Sequence, residues 1–481
     1  MDALFGAFWP EKNVPGHPRA LLAALGVGVL AGIVLPFRDL GVGTFVVLLA
    51  CGGVVLATAV HRRSAFTLAC SALCVLLAAT SVLRAAEWIV VLCLLAGAAV
   101  FVAGLVDGRT VPGFILAGIA WPLTALRGLS WLRRSLRPIG VAGKNGAALR
   151  TLLLSVLGVV VFGLLFASAD ALFAEWADSV VPDLDFGTFV LRAFVTAFVG
   201  GVVLGATYLA INPPRADGEP GPSRPVAQRY EWLVPVLLVD AVFVVFLLAQ
   251  ATVIFGGHDY LERTTGLTYA EYVHQGFGQL TVATGLTLLV VWAAARKAPR
   301  ESSSDVLWVR ASLGLLCALT LVVVASALYR MHVYQEAYGF TQLRLLVDVF
   351  EGWLGLLVVL VMVGGLTLRA TWLPRAALLT GAGALLGLAL VNPDAWVAER
   401  NLDRYAETGK VDWAFLQELS PDMVPALEGQ PDDVVTCALM GQTAIDDDWL
   451  EWNLGRSRAE AEIDQHLEGR GTGEPACLSK D

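Results

Sequence analysis

Charged residues are scarce in this chain of 481 residues: only 16% are Asp, Glu, Lys or Arg, while 57% are hydrophobic. Soluble globular domains carry about 25% charged residues, so the composition excludes an ordinary soluble domain. Histidine is also rare, and the seven cysteines have none of the spacings of zinc-binding motifs. The sequence contains no Walker loop, dinucleotide-binding fingerprint, nucleophile elbow or His-Glu-x-x-His motif. No standard catalytic signature is therefore present.

The hydrophobic residues lie in blocks of about 18 to 24, the length of helix that crosses a hydrocarbon core of about 30 Å. A helix satisfies its own backbone hydrogen bonds in lipid, and the blocks lack the two-residue alternation of a transmembrane barrel. The sequence therefore predicts an all-α, polytopic membrane protein with about eleven transmembrane helices. The predicted spans are 20–37, 41–60, 65–83, 88–106, 149–167, 189–211, 233–255, 275–295, 308–329, 345–368 and 374–391.

A further apolar stretch runs from Val111 to Leu126, but it is short and contains Pro112, Gly113 and Pro122. Proline and glycine interrupt helices, and the stretch is shorter than a typical span. We interpret it as an interfacial or re-entrant segment.

The distribution of Lys and Arg predicts the orientation of the chain, because short cytoplasmic loops are enriched in these residues. With eleven spans, one set of loops holds 20 Lys and Arg and the alternating set holds six. This pattern predicts a cytoplasmic N-terminus and an exported C-terminal tail. The predicted divisions are a four-helix segment (1–110), a basic cytoplasmic loop (111–148), a seven-helix membrane core (149–391) and the tail (392–481).

The tail is acidic, with 20 Asp and Glu against seven Lys and Arg, which argues against nucleic acid as a partner. Asn392-Pro393-Asp394 is a helix start signal and Gly409 a stop signal. A last helix is expected from Asp446 to Leu467. Since an exported tail lies in an oxidising compartment, we expect Cys437 and Cys477 to form a disulfide.

Polar residues concentrate at the predicted outer ends of spans eight, nine and ten and at the start of the tail. Asp348 and Glu351 precede an apolar run, and a carboxylate within the outer leaflet is costly unless it is paired. We expect spans eight to ten to be neighbours. Six of their residues are expected to share a polar region beneath the tail: Glu271, Arg330, His332, Tyr338, Arg344 and Asp348. The candidate ligand-binding residues are Glu271, His274, Arg330, His332, Glu336, Tyr338, Arg344, Asp348, Glu351, Asn392, Asp394 and Arg404.

Each candidate also has a structural interpretation. Glu271 can cap a helix, His332 and Glu336 can form a solvated pair, and Arg344 with Asp348 can form an ion pair that joins two helices. Asp240, an acid within a span, is expected to make a cross-helix hydrogen bond. Weak candidates for metal ligands are His258, Asp259, Glu271, His274, His332 and Glu336.

Several of these segments carry a family resemblance. The motifs are Thr268–Tyr272 with Gly276-Phe277, Tyr338-Gly339 with Leu343-Arg344, Asn392–Asp394, and Leu419–Asp422 with Val424–Leu427. From Leu149 to Leu427 the chain resembles a family of bacterial multi-pass membrane proteins, a domain of unknown function of the 4153/4173 type. The resemblance implies a bacterial cell membrane and a single unit of outer motifs and tail, but no activity or cofactor.

Three functions remain open. The favoured one is a non-enzymatic envelope protein that senses, scaffolds or regulates, with the bilayer and an envelope protein or lipid-linked ligand as partners. A transporter is an alternative, although no internal repeat is visible. The third is a membrane enzyme acting on a lipid-linked substrate at the outer face, in which Glu271, His274, His332 or Glu336 would be acid, base or ligand.

Overall fold

A computed structural model gives the fold of the chain, and every regular element in the residues it describes is helical. The described residues are Trp9, 14–139, scattered positions between 151 and 170, 186–215, Asp217, 226–265, 277–367, 370–469 and Cys477.

Twelve helices precede the tail in these ranges. They are α1 (Pro18–Val34), α2 (Val42–Thr58), α3 (Ala65–Leu83), α4 (Glu87–Leu105), α5 (Val111–Arg127), α6 (Leu129–Leu136), α7 (Phe186–Ile211), α8 (Tyr230–Thr265), α9 (Phe277–Lys297), α10 (Ser303–Tyr338), α11 (Gln342–Thr367) and α12 (Leu373–Leu390). The tail contains α13 (Pro393–Thr408), α14 (Trp413–Gln417), a 3-10 helix (Pro421–Leu427), α15 (Asp432–Leu439) and α16 (Leu454–Gly469).

Eight helices in the described part of the chain, α3, α4 and α7 to α12, are long and apolar enough to cross a bilayer. The pair α5 and α6, bent by 51°, makes a ninth if it is one span, and α1 and α2 are shorter apolar helices. The chain is thus an integral membrane protein with several spans. Ten of the predicted spans overlap a helix, while the span at 149–167 falls largely outside the described residues.

The stretch interpreted as interfacial is helical, and it continues beyond its predicted end into α6. Both ends of α5 are held by polar contacts. Thr110 caps the helix and donates its hydroxyl to Asp217, 2.7 Å away. At the other end Arg127 donates to the carbonyl of Trp9, whose indole N–H donates to the carbonyl of Asn212. The two ends of α5 are therefore linked to the segment that follows α7.

The chain forms two compact units. Unit 1 comprises Met1–Val82, Gly97–Asp217 and Asp447–Trp452. Unit 2 comprises Leu83–Ala96, Gly218–Asp446 and Asn453–Asp481.

In unit 1, small residues let α1 and α7 approach closely. A Cβ atom on Gly28 would lie 2.5 Å from the carbonyl oxygen of Thr196, and one on Gly32 would meet the Thr196 side chain. The four-residue spacing of these glycines is the small-xxx-small pattern with which membrane helices bring their backbones together.

The start of α2 and the loop before it bind a short piece of the tail, also within unit 1. The backbone N–H of Val42 donates to the carbonyl of Trp452 at 3.2 Å, and that of Gly43 donates to Leu450 at 2.6 Å. Arg38 forms an ion pair with Asp448 at 2.9 Å. Desolvation alone would raise the pKa of Asp448, but the hydrogen bonds from Arg38 and from two backbone N–H groups, with the charge of Arg38, together hold it below its usual value.

In unit 2, α8 and α10 run parallel and in register. Arg229, just before α8, pairs with Asp305 at the start of α10 at 2.7 Å. About twenty residues further along both helices, the Ser326 hydroxyl donates to the side-chain oxygen of Gln250, 2.7 Å away. Helix α11 runs antiparallel to α10, and α9 packs against both. The expectation that spans eight to ten are neighbours is thus confirmed.

The helical part of the tail in unit 2 has its own apolar core, which includes Leu402, Met423, Leu439 and Ile463. The predicted start at Asn392 and the stop at Gly409 are confirmed, since Asn392 accepts a bond from an N–H of the first turn and Gly409 is left-handed. Helix α15 was not anticipated from the sequence.

The predicted last helix begins too early. Residues 446–453 are not helical. The Asp448 carboxylate accepts the N–H groups of Leu450 and Glu451 in a turn. Helix α16 starts only after Asn453, whose side-chain oxygen accepts the N–H of Gly455 at 2.9 Å. The predicted Cys437–Cys477 disulfide is present.

Candidate functional site

The centre of the candidate site is Asp394, which is fully buried in the first turn of α13. One carboxylate oxygen accepts the indole N–H of Trp88 at 3.0 Å and the side-chain amide of Gln342 at 2.8 Å. The other accepts the backbone N–H of Ser420 at 3.0 Å. A single carboxylate thus joins the starts of α4, α11 and α13 to the 3-10 helix of the tail.

A second buried carboxylate, Asp422, lies beside this centre. It accepts the N–H of Ala86 at 2.9 Å, while its other oxygen is buried against Gly455, whose missing side chain leaves room for it. Burial raises the pKa of Asp422 above its ordinary value, although the N–H of Ala86 and the charge of Arg84 act in the opposite direction. Asp394 adds to the increase, because the two acids repel each other.

Three further side chains complete the junction between the tail and the helices. The Arg84 guanidinium donates to the carbonyls of Ala389 at 2.6 Å and Leu390 at 2.8 Å at the end of α12. Burial lowers the pKa of this guanidinium. Asn392 donates its amide to the carbonyl of Asp422, and Asn453 donates to that of Arg84. We call Arg84, Trp88, Gln342, Asn392, Asp394, Asp422 and Asn453 the junction cluster.

The end of α10 is held by α13. Arg404 donates to the carbonyls of Glu336 at 3.0 Å and Ala337 at 2.8 Å, the last turn of a helix whose terminal carbonyls have no partner of their own. Asn401 donates to and accepts from the backbone of Phe340. Arg404 was a predicted site residue, and its contacts are with the backbone of the chain.

Arg344 and Asp348 do not form the ion pair that the sequence suggested. Arg344 stacks over the ring of Tyr334, 4.6 Å from its centre, and donates to the carbonyls of Tyr338 and Gly339. Asp348 accepts the side-chain amide of Gln335 at 2.7 Å. The free carbonyls that end α10 bind the guanidinium more closely than a carboxylate one helical turn away.

Other candidates lie along the same helices. His332 and Glu336 form an exposed pair at 3.1 Å on α10. Arg330 is half-buried, and Tyr338 is exposed. Glu351 is fully buried and accepts the hydroxyl of Thr281 on α9 at 2.9 Å.

Part of the predicted site lies outside what the structure describes. Glu271 and His274 fall in the undescribed stretch, and the side chains of His258 and Asp259 are likewise not described. Within the described residues, no group of three or more His, Cys, Asp or Glu could hold a metal ion.

The prediction that Asp240 makes a cross-helix hydrogen bond is wrong. Both carboxylate oxygens are buried without a hydrogen-bond partner among the described residues, although the side chain is only 3% exposed. Asp240 interacts electrostatically with Cys317 on α10, and a thiol is a poor hydrogen-bond donor.

Sequence reasoning found Asn392 and Asp394 but missed the other members of the junction cluster. Arg84 carried a signal, since it lies in a very short loop on the side with few basic residues. Trp88, Gln342 and Asn453 carried none, because tryptophan is common at membrane interfaces and the two amides are separated by more than a hundred residues.

These features define a multi-pass membrane protein whose tail is fixed to the ends of its helices. A family model described as a domain of unknown function, DUF4153, matches residues 71–430. The chain belongs to this family. The match begins well before the Leu149 suggested by the motifs and includes Arg84 and Trp88 of the junction cluster. No curated protein and no solved structure matches the chain significantly.

Proposed function

We propose that the chain crosses the membrane eleven times, with a cytoplasmic N-terminus and the tail outside. Several polar contacts within each unit support this topology, since they join described residues of the same predicted side. In unit 1 the predicted outer residues Arg38 and Asp448 pair. In unit 2 Arg84 contacts the end of α12, and at the predicted inner side Arg229 pairs with Asp305.

Helices α5 and α6 enter this scheme as a segment that does not cross. The support comes from unit 1, where both ends of α5 are linked to the segment after α7, on the predicted cytoplasmic side. Counting the pair as a span would move the tail to the cytoplasm.

Reporter fusions test the topology. Fusions after Arg134 and Lys297 should report a cytoplasmic location, and fusions after Arg38 and Leu427 an external one. A cytoplasmic signal after Leu427 would contradict the scheme.

We infer that the protein is a non-enzymatic scaffold or regulator of the bacterial envelope that holds its tail in a fixed position. The observation that supports this role is the use of polar candidates as structural contacts. Asn392, Asp394 and Arg404 all bond within the chain. Asp394 and Arg404 attach the tail to the start of α4, the start of α11 and the end of α10. Such a site serves to position a domain.

The surface that the tail offers to a partner is acidic. Helix α16 buries Ala459 and Ile463 and exposes Glu460, Glu462 and Asp464. Because the tail has a large negative charge, a partner with a basic surface would be attracted over a distance of about 8–10 Å at physiological salt.

Site-specific photo-crosslinking in native membranes tests this role. A photoreactive residue at position 462 should give a discrete crosslinked species, which Glu460→Gln with Asp464→Asn should weaken at least several-fold. The matched control replaces the exposed acids Asp403 and Glu407 of α13. No species at position 462, or equal loss with the control, would contradict a partner at the acidic face.

One observation favours transport as a second candidate function. Asp240 and Glu351 are buried within membrane helices, and each has at least one carboxylate oxygen without a hydrogen-bond partner among the described residues. Ionisable residues in the membrane often mark the path of an ion or proton.

A further inference from the structure

The bundle of α8 to α11 in unit 2 contains acids that no neighbouring cation neutralises among the described residues. Asp240 and Glu351 are 3% and 0% exposed. Both oxygens of Asp240 and one of Glu351 have no hydrogen-bond partner, and the same holds for the amide nitrogen of the buried Gln250. These unpartnered polar atoms require an explanation, because burying one without a partner costs about 1–3 kcal/mol.

Their depth makes ionisation costly. Asp240 lies about 15 Å along α8 from Tyr230, near the middle of a hydrocarbon core about 30 Å thick. Glu351 lies about 14 Å along α11 from its first residue. An isolated carboxylate at such a depth is strongly unfavourable, whereas the neutral acid is tolerated. Each carboxyl group must therefore carry a proton or share a site with a cation.

The groups that face these acids provide hydrogen bonds but no fixed positive charge. Asp240 interacts electrostatically with Cys317 on α10, and Glu351 accepts the Thr281 hydroxyl from α9. Nearer the end of the bundle, Asp348 accepts the amide of Gln335 and interacts electrostatically with His332. Only this last position has a group that can itself become positively charged.

The polar groups are distributed along the bundle. Along α10, Ser326, which bonds to Gln250, lies about 13 Å from Gln335 towards the start of the helix. Cys317, which interacts electrostatically with Asp240, lies about 27 Å from Gln335 in the same direction. Asp348 and Asp240 thus lie at different heights of the bundle, and the Ser326–Gln250 bond lies between these two heights.

We propose that Asp240 and Glu351 are proton-binding groups of the membrane domain, supplied from the end of the bundle that holds Asp348 and His332. Binding forms an O–H bond between a proton from water and a carboxylate oxygen. Release breaks that bond, the electron pair stays on the oxygen, and the proton returns to water. This inference is independent of the scaffold role, because it concerns the bundle and not the tail.

Infrared spectroscopy of the purified full chain in lipid vesicles tests the proposal. Protonated buried acids give carbonyl bands distinct from those of carboxylates. We expect Asp240→Asn and Glu351→Gln each to remove one such band, the bands to shift in deuterated water, and both to decrease reversibly at alkaline pH. Asp403→Asn, an exposed acid on α13, is the control and should remove none.

Three results would overturn the proposal. Acid bands that neither variant removes would show that these residues are ionised. Bands insensitive to deuterated water or to pH would show protons that never exchange. Bands lost at constant pH when sodium replaces choline would assign the site to a metal cation. If a variant fails to fold, isotope-labelled aspartate or glutamate carboxyls in the unmodified chain give the same readout.

Discussion

The junction cluster and the bundle of α8 to α11 treat buried acids in opposite ways. Asp394 has a donor at every oxygen, supplied by two side chains and one backbone N–H from three separate segments. Asp240 is almost equally buried, yet neither of its oxygens has a hydrogen-bond partner in the part of the chain that the structure describes. A fully bonded acid fixes a structure, whereas an unbonded one lowers stability and is free to exchange a proton.

Asp394→Ala should have the largest effect on stability. Removal of the carboxylate leaves three donors unsatisfied, so we expect the free energy of unfolding to fall by about 3–5 kcal/mol. Denaturant unfolding of the purified chain in detergent measures this. The control Asp403→Ala, an exposed position on the same helix, should change it by less than about 0.5 kcal/mol. Equal losses of unfolding free energy in the two variants would contradict a stabilising role of the three hydrogen bonds to Asp394.

The disulfide should have the next largest effect. Cys437→Ser opens a loop with a sequence separation of 40 residues. In the chain-entropy account this costs about 3–4 kcal/mol, confined to the tail. Protease resistance of the tail, with and without reductant, measures the loss. Cys317→Ser, which changes an unpaired cysteine of α10, should leave the tail equally resistant. A reductant-insensitive wild-type tail would contradict the prediction.

Asp240→Leu should act in the opposite direction to Asp394→Ala. The substitution removes unpartnered polar atoms and adds apolar surface, so we expect the free energy of unfolding to rise by about 1–2 kcal/mol. Unfolding in the same detergent measures it, and the lipid-exposed Val242→Leu on the same helix is the control. A decrease would mean that Asp240 makes stabilising contacts.

The pH dependence of the junction should give the smallest effect. Because burial raises the pKa of Asp422, its neutral form is favoured in the folded state. This contribution to stability is complete below the ordinary aspartate pKa of about 3.9 and is lost as the pH rises through the raised value. Asp422→Asn should therefore flatten the decline in tail stability across that window, whereas Asp403→Asn should not. An unchanged slope would contradict the assignment.

The helices could be predicted because their signals are local. Apolar blocks, the cap at Asn392 and the glycine stop at Gly409 each act within a few residues. The partners of Asp394 could not be predicted, because Trp88 lies far away in the sequence and no pattern links the two. The predicted ion pair between Arg344 and Asp348 is absent for a related reason. Helical spacing brings the two residues within reach of each other, but the carbonyls that end α10 compete for the guanidinium.

The bonds between the first turn of α2 and the carbonyls of Leu450 and Trp452 have a consequence for biosynthesis. The ribosome synthesises α1 and α2 long before it synthesises Leu450 and Trp452, whose carbonyls accept from the first turn of α2. Val42 and Gly43 can donate to these carbonyls only after residues 450–452 have emerged. Unit 1 therefore cannot reach its final form before residues 447–452 are made, and a chain truncated before position 450 lacks the acceptors of those two N–H groups.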